Sequence, residues 1–279
     1  MPAMLHYDLH CHSTYSDGLL APAEVVARAA ARGVDVLALT DHDETRGLAE
    51  ARAAADEHGI RLVNGAELSV SWEHHTIHVV ALRIDPASPP LTTGLERIRS
   101  GRATRARRMA DALAECGIRG AYEGALRFVR NEALVSRTHF ARYLVEAGYV
   151  NDVKDVFNRY LTPGKPGYVA HDWATLPEAI EWIHAAGGQA VLAHPARYDL
   201  SNTALRRLLA EFRDLCGDAI EVFSSSHTNA ECEQFITLAR VFGLLASTGS
   251  DFHGAAESTI DLGGLPALPA GTRPVWQHW

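Results

Sequence analysis

The stretch LHYDLHCHSTYSDG, residues 5–18, decides how the rest of the chain is read. An apolar, strand-like run at 5–9 leads directly into His10, Cys11 and His12, and then into Ser16, Asp17 and Gly18. The same arrangement recurs along the sequence. Residues 34–39 precede Thr40, Asp41 and His42; residues 62–63 precede Gly65, Ala66 and Glu67; residues 190–192 precede Ala193, His194 and Pro195; and residues 244–246 precede Ser250, Asp251, Phe252 and His253. A barrel of strands and helices gathers positions just past its strand ends onto one face, where catalytic sites form.

Seven apolar or β-branched runs read as strands, at about 5–10, 34–40, 61–65, 76–84, 189–193, 219–223 and 244–248. Helical patterns separate most of them. Pro22 opens a helix that reaches Arg32 and closes at Gly33, and Thr45 caps one that ends near His58 and Gly59. Thr175, with Glu178 three residues on, opens another that ends at Gly187 and Gly188, and Ser201 caps one through Leu215. Strand followed by helix, repeated, argues for an α/β chain with a parallel, barrel-like sheet. Between Pro86 and Pro166 the rhythm stops, and only helical patterns occur, at 93–116, 122–130, 138–147 and 150–160. Residues 1–85 and 166–279 are therefore read as the barrel and 86–165 as an all-helical insertion bounded by proline and glycine.

The 279 residues suffice for a sizeable core. A net charge of −8 argues against an extended nucleic-acid-binding face while leaving room for a local basic pocket. Cys11, Cys116, Cys216 and Cys232 show neither CxxC nor disulfide-framework spacing, which fits a reducing, cytoplasmic setting. No signal-peptide pattern and no bilayer-length apolar run is read, so no membrane association is expected.

Alternate residues of a strand share a face, so Asp8, His10 and His12 project together and offer two imidazoles to one ion, with Cys11 packed on the other side. Together with the acids and histidines past the other strands, they form a nitrogen and oxygen ligand set for divalent metals. Asp41 is read as orienting a ligand or a water. His6, His58, His184 and His278 are assigned to surface or packing. His78 is preferred to His74 and His75 because it lies inside the apolar run 77–80 and faces away from its apolar neighbours. His171 and His227 are left open.

HCHSTYSDG, LTDHD, NGAEL, LAHP and GSDFH resemble the ordered motifs of the PHP (polymerase and histidinol phosphatase) family of metal-dependent phosphoesterases. SRTHFARYLVEAG and TPGKPGYV resemble its subgroup of nucleoside 3′,5′-bisphosphate phosphatases and 5′–3′ exoribonucleases. The resemblance spans the whole chain and implies a distorted (β/α)7 TIM-like barrel holding three divalent ions. Manganese is the first expectation, with iron, zinc or cobalt as alternatives. It implies that His10, His12 and Asp251 hold a first ion, that Glu67 bridges it to a second held by His78 and His194, and that Asp17, His42 and His253 hold a third. The implied chemistry is in-line attack of a metal-activated hydroxide on phosphorus, with Asp17, His42 and His194 in the catalytic roles.

In the helix expected over 93–116, Arg102 and Arg105 share a stripe with Met109, Ala112, Leu113 and Cys116. Arginines on an apolar stripe are costly unless an anion meets them, either a substrate phosphate or an acid of the barrel. Ser136, Arg137 and His139 open the next strong helix, a terminus suited to phosphate. Lys165 in the glycine-rich exit loop and Arg197 after AHP add charge. Together these predict a small nucleotide substrate carrying a second phosphate away from the one being cut. The expected activity is removal of the 3′-phosphate of nucleoside 3′,5′-bisphosphates, pAp giving AMP. The alternatives are 5′–3′ exoribonuclease action on short 5′-phosphorylated oligonucleotides, histidinol phosphate hydrolysis, and a non-catalytic metal-binding regulatory module.

Overall fold

The structure, a computed structural model, describes residues 5–171 and 173–279. The first half of the barrel comprises β1 (Tyr7–Asp8), α1 (Pro22–Ala31), β2 (Val36–Leu39), α2 (Leu48–His58), β3 (Arg61–Trp72) and β4 (His75–Leu82). The helical segment follows with α3 (Pro89–Ser100), α4 (Arg102–Glu115), α5 (Ala121–Leu126), α6 (Arg137–Glu146) and α7 (Val153–Val156). The chain then completes the barrel with β5 (Ala174–Thr175), α8 (Leu176–Ala185), β6 (Gln189–Leu192), α9 (Asn202–Asp214), β7 (Ala219–Ser224), α10 (Asn229–Phe242) and β8 (Leu245–Gly249).

Burial on both faces explains the continuous apolar runs. Val36 and Ala38 point inward with Leu9, Val63, Val191 and Ala219, while Leu37 and Leu39 lie under α1 and α2 beside Val25, Ala29, Ala51 and Ala55. The strands follow the path β1-β2-β3-β4-β6-β7-β8, with β5 paired to β3. The Leu9 N–H donates to Thr248 O at 3.0 Å and Cys11 bridges Phe252, which brings β8 back beside β1. The result is the expected α/β fold, a nearly closed, barrel-like sheet of seven strands wrapped by helices.

The sheet is mixed rather than all parallel, because β4 runs antiparallel to both β3 and β6. Trp72 pairs with His75, so only two residues connect β3 to β4, too few for a parallel crossover. β3 runs well past the expected 61–65, and Glu67 is a mid-strand residue rather than a residue of the loop after it. Neither β5 nor α10 was expected from sequence. α2 starts at Leu48, not Thr45, because the Glu44 carboxylate accepts the N–H groups of Thr45 and Arg46 (2.9 and 3.0 Å) and keeps that turn outside the helix.

The helix expected over 93–116 is two helices, parted at Gly101, a poor helix former. The His171 ring packs so closely there that a Cβ on Gly101 would lie 2.2 Å from its Cε1. The two helices serve different cores. Leu91, Leu95 and Ile98 of α3 join the barrel's outer core, whereas Ala106, Met109 and Leu113 of α4 pack with Phe140, Leu144, Val156 and Leu161 in a separate cluster.

The barrel's two ends differ in character. At the strand N-termini, Trp276 stacks on Tyr7 (centroids 4.0 Å apart) and Trp279 Nε1 donates to Gln189 Oε1 at 2.7 Å, so the C-terminal tail covers this end with apolar surface. Polar residues gather at the strand C-termini. The segment after β8 is tied to α1 by Asp261, which accepts from Arg28 Nε and Nη2 (2.8 and 2.7 Å) and from Arg32 Nε (3.0 Å).

Hydrogen bonds from Arg28, with help from Arg32, pull the Asp261 carboxyl down to about 2. A carboxyl depressed on folding contributes stability that is complete above its unfolded value of about 4 and is lost as pH falls toward the folded value. Asp261→Asn is expected to lower stability by about 1 kcal/mol at neutral pH. The difference from wild type should shrink below about pH 4 in urea denaturation series.

Candidate metal centre

Glu67 lies opposite Val80 in the β3–β4 hairpin and is fully buried. Its Oε1 is 2.8 Å from both His78 Nδ1 and His194 Nε2. Its Oε2 is 2.9 Å from His42 Nδ1, 3.3 Å from His10 Nε2 and 3.4 Å from His12 Nε2. Asp251 Oδ1 stands 3.1 Å from His12 Nε2 and 3.6 Å from His10 Nε2. Asp17 Oδ1 is 3.4 Å from His253 Nε2 and 3.8 Å from His42 Nε2.

All nine residues expected as ligands are thus brought together. They form overlapping groups whose ligand atoms lie within 4.8 Å of one another: His12, Asp17, His42 and His253; His10, Glu67 and His194; His10, His12 and Asp251; and His42, Glu67 and His78. His78 and His194 therefore share Glu67 without sharing a group. His12 stands in two groups, one with Asp251 and one with Asp17.

Hydrogen bonding leaves several of these atoms unserved. Among the described residues, Asp17 Oδ1, Glu67 Oε2, His42 Nδ1 and His78 Nδ1 are buried without a well-aligned hydrogen-bond partner, although His42 Nδ1 and Glu67 Oε2 are only 2.9 Å apart and His78 Nδ1 is 2.8 Å from Glu67 Oε1. Buried polar atoms are normally satisfied, and lone pairs aimed at a common point are what a cation between them would satisfy. Imidazole nitrogens and carboxylate oxygens without thiolate suit divalent metals. The residues present therefore fit a divalent metal centre.

Burial pushes the Glu67 carboxyl up, but the imidazoles of His42, His78 and His10 outweigh it and hold the group well below the usual carboxylate range. Burial alone would discharge His42, yet Glu67 and Asp17 raise it to about 9. His12 is driven to about 3 by burial and by the neighbouring His253 and His42. Burial takes His194 to about 3 as well.

Surrounding residues fix these side chains. Asp41 accepts from Ser13 N, Ser13 Oγ and Ser16 Oγ at 2.7, 2.6 and 2.6 Å, shaping the loop that carries Asp17. Asp8 accepts from Ser250 N at 2.8 Å, beside Asp251. Sequence reading missed Glu221. Its Oε1 accepts from His10 Nδ1 at 2.7 Å and its Oε2 from His194 N at 2.6 Å, so one buried carboxylate orients two members of the cluster. The available signal was a lone acid inside the apolar run 219–223. His194 and Asp251 have φ of 25° and 53°, a region rarely occupied by non-glycine residues and concentrated at functional sites. Gly249 lets His10 approach, since a Cβ there would meet His10 Cβ at 2.2 Å.

The expected substrate cations divide by their partners. Arg102 is buried and paired with Asp43, and its Nη2 also donates to Ser69 Oγ at 3.1 Å, so an acid of the barrel meets this guanidinium. Asp43 follows His42 directly, too close to the ligand motif for its own partner to be read. Arg105, also buried, donates from Nε to Val169 O at 3.0 Å and lies over the Trp173 ring. Arg137 lies over Phe157. Neither Arg105 nor Arg137 has a carboxylate partner among the described residues. Ser136 Oγ donates to Asp17 Oδ2 at 3.3 Å, and His139 Nδ1 accepts from Ser136 N at 3.0 Å. Arg197 Nη2 is 2.6 Å from Asp251 Oδ2 at the edge of the cluster. The Lys165 side chain is exposed and unpaired among the described residues.

Glu221→Gln replaces an acceptor facing two N–H groups by an amide that can accept only one. It is expected to lower divalent-metal affinity by about ten- to a hundredfold while leaving far-UV circular dichroism unchanged, as read by competition with a metal indicator.

The PHP domain family profile matches residues 8–231. The 3′,5′-nucleoside bisphosphate phosphatase of Chromobacterium violaceum is 53% identical over 275 residues, covering 99% of this chain and 96% of its own. The 5′-3′ exoribonuclease Rnm of Salmonella typhimurium is 48% identical over 275 residues, covering 98% of this chain and 93% of its own. A solved amidohydrolase structure from Chromobacterium violaceum, with bound sulfate and no metal, matches with a TM-score of 0.95 at 52% identity, over 98% of this chain and 95% of that one. The motifs past the strand ends, the clustered ligand atoms and these full-length likenesses agree: the chain belongs to the PHP domain family.

Proposed function

We propose that this protein is a metal-dependent phosphatase that removes the 3′-phosphate of nucleoside 3′,5′-bisphosphates such as pAp, leaving the 5′-monophosphate. The observation that supports this reading is the pair of guanidiniums Arg105 and Arg137, close enough to repel one another and, for Arg137, to feel the Asp17 carboxylate, with no acid in a salt bridge to either among the described residues. Burial, with neighbouring arginines, lowers Arg105 to about 9 and also pulls Arg137 down. Desolvated cations of this kind are satisfied by an anion, and a second phosphate on the substrate supplies one.

His139 fits the same role. Burial takes it to about 4, so it is neutral near pH 7. Its Nδ1 accepts the Ser136 N–H, which leaves the ring proton on a buried Nε2 facing the backbone of Ser16. Arg105, Arg137 and His139 would grip the 5′-phosphate. Ser136 joins this grip to the cluster through Asp17. Arg197 stands beside Asp251, where the phosphoryl group being cut would lie. Lys165 would meet the substrate only at its solvent side.

His10, His12, Glu67 and Asp251, then Glu67, His78 and His194, then Asp17, His42 and His253 would hold three divalent ions, manganese first among them. Such ions supply an activated water and neutralise the phosphoryl oxygens as charge develops. The chain's own part is to fix that geometry. Glu67 and Glu221 lock the imidazoles, and the apolar tail closes the barrel's far end. His194, Asp17 and His42 would stand nearest the leaving oxygen and the attacking water.

Exoribonuclease action on short 5′-phosphorylated oligonucleotides is favoured as a second reading by the 48% identical relative of that name. The same 5′-phosphate grip would serve it. Among the described residues no helix is long and apolar enough to cross a membrane, and all four cysteines are free, which supports a cytoplasmic setting.

With manganese, phosphate release from pAp is expected with AMP left intact. Arg137→Ala should lower kcat/KM for pAp by about ten- to a hundredfold, the loss of a charge-assisted contact. Equal hydrolysis of AMP, or an unaffected Arg137→Ala, would refute the 5′-phosphate grip. Shortening of a 5′-phosphorylated trinucleotide without turnover of pAp would give the second reading.

A further inference from the structure

Arg142 lies on α6, part of the helical insertion, yet its side chain engages the barrel. It is buried. Its Nε and Nη2 donate to Glu257 Oε1 and Oε2, both at 2.7 Å, and Nη2 also donates to the backbone carbonyl of Asp17 at 2.5 Å. One planar guanidinium thus holds two barrel loops at once, a geometry that the point charge of a lysine does not reproduce.

Both loops carry members of the same ligand group. Asp17 is one. Glu257 belongs to the turn that begins at His253 and Gly254: Glu257 N and Ser258 N donate to Gly254 O at 3.1 and 2.9 Å, and Ser258 Oγ accepts from His253 N at 2.8 Å. Leu19 N donates to His253 O at 2.6 Å, lacing the two loops directly. His253 Nδ1 donates to Asp251 O at 2.9 Å, which turns its Nε2 toward Asp17 Oδ1 at 3.4 Å. On the other side of Asp17, Ser136 of the same insertion donates to Oδ2.

A shielded ion pair is a poor source of net stability, because desolvation offsets most of its attraction. Its more direct consequence here is geometric. We propose that Arg142 is a positioning residue through which the insertion builds the ion subsite of Asp17, His42 and His253. In this arrangement the first two subsites belong to the barrel alone, while the third reaches full affinity only when α6 is docked. The insertion therefore both holds substrate and completes the metal centre. This rests on the three-ion reading above.

The test is manganese binding to the full chain, by calorimetric titration and by elemental analysis after gel filtration, for wild type, Arg142→Met, Arg142→Lys, Glu257→Gln and His253→Ala. Wild type is expected to hold three ions. Arg142→Met should keep two at wild-type affinity, with the remaining one weakened by about ten- to a hundredfold. Arg142→Lys should fail to restore it, and Glu257→Gln should reproduce the defect. A purely structural role would instead lower the unfolding temperature and leave stoichiometry and affinities unchanged.

His253→Ala separates the two claims. If it loses one ion while folded Arg142→Met binds three at wild-type affinity, the positioning role is overturned and the three-ion reading stands. If wild type and His253→Ala both bind only two, the three-ion reading fails and this inference falls with it. Should Arg142→Met not fold, Glu257→Gln decides by the same criteria.

Discussion

Five imidazoles, those of His10, His12, His42, His78 and His194, stand within 3.4 Å of the fully buried carboxylate of Glu67. One carboxylate cannot serve five nitrogens by hydrogen bonding, and among the described residues its Oε2 has no well-aligned hydrogen-bond partner. The arrangement also cannot relax, because the five histidines come from different parts of the barrel. His10 and His12 follow β1, His42 follows β2, His78 lies in β4 and His194 follows β6. The nearly closed sheet brings them to one point, and divalent cations at that point match the donor set. Fold and chemistry thus impose the same requirement.

The rest of the molecule serves that convergence. Glu221 aims His10 and clamps the strained backbone of His194, while Asp41 and Asp8 hold the loops of Asp17 and Asp251. The tail stacked on Tyr7 closes the barrel's opposite end. From the helical segment, Arg142 of α6 reaches between the loops that carry Asp17 and Glu257.

Much of this was legible in the sequence because strand ends carry their own markers. The runs followed by His10, His42, His194 and Asp251 end where a barrel gathers polar residues, whereas Glu67 lies inside β3, and the capping box of Thr175 and Glu178 marked α8 correctly. What escaped depends on long-range contacts. The β3–β4 hairpin lacks the usual asparagine–glycine turn, so the length of β3 and the reversal of β4 were hidden behind Gly65 and Ala66. The capping box of Thr228 and Glu231 was available but unused for α10. The partners of Arg102 and Arg142 lie 59 and 115 residues away, and no local pattern announces either pair.

The most direct test of this account is the manganese content of Glu67→Gln after equilibration and gel filtration, read beside near-ultraviolet circular dichroism. If Glu67 is the carboxylate shared by the ions, a folded Glu67→Gln protein loses at least two equivalents of metal and all phosphate release from pAp. A folded variant that keeps its full metal content and its activity would contradict the central role given to this residue.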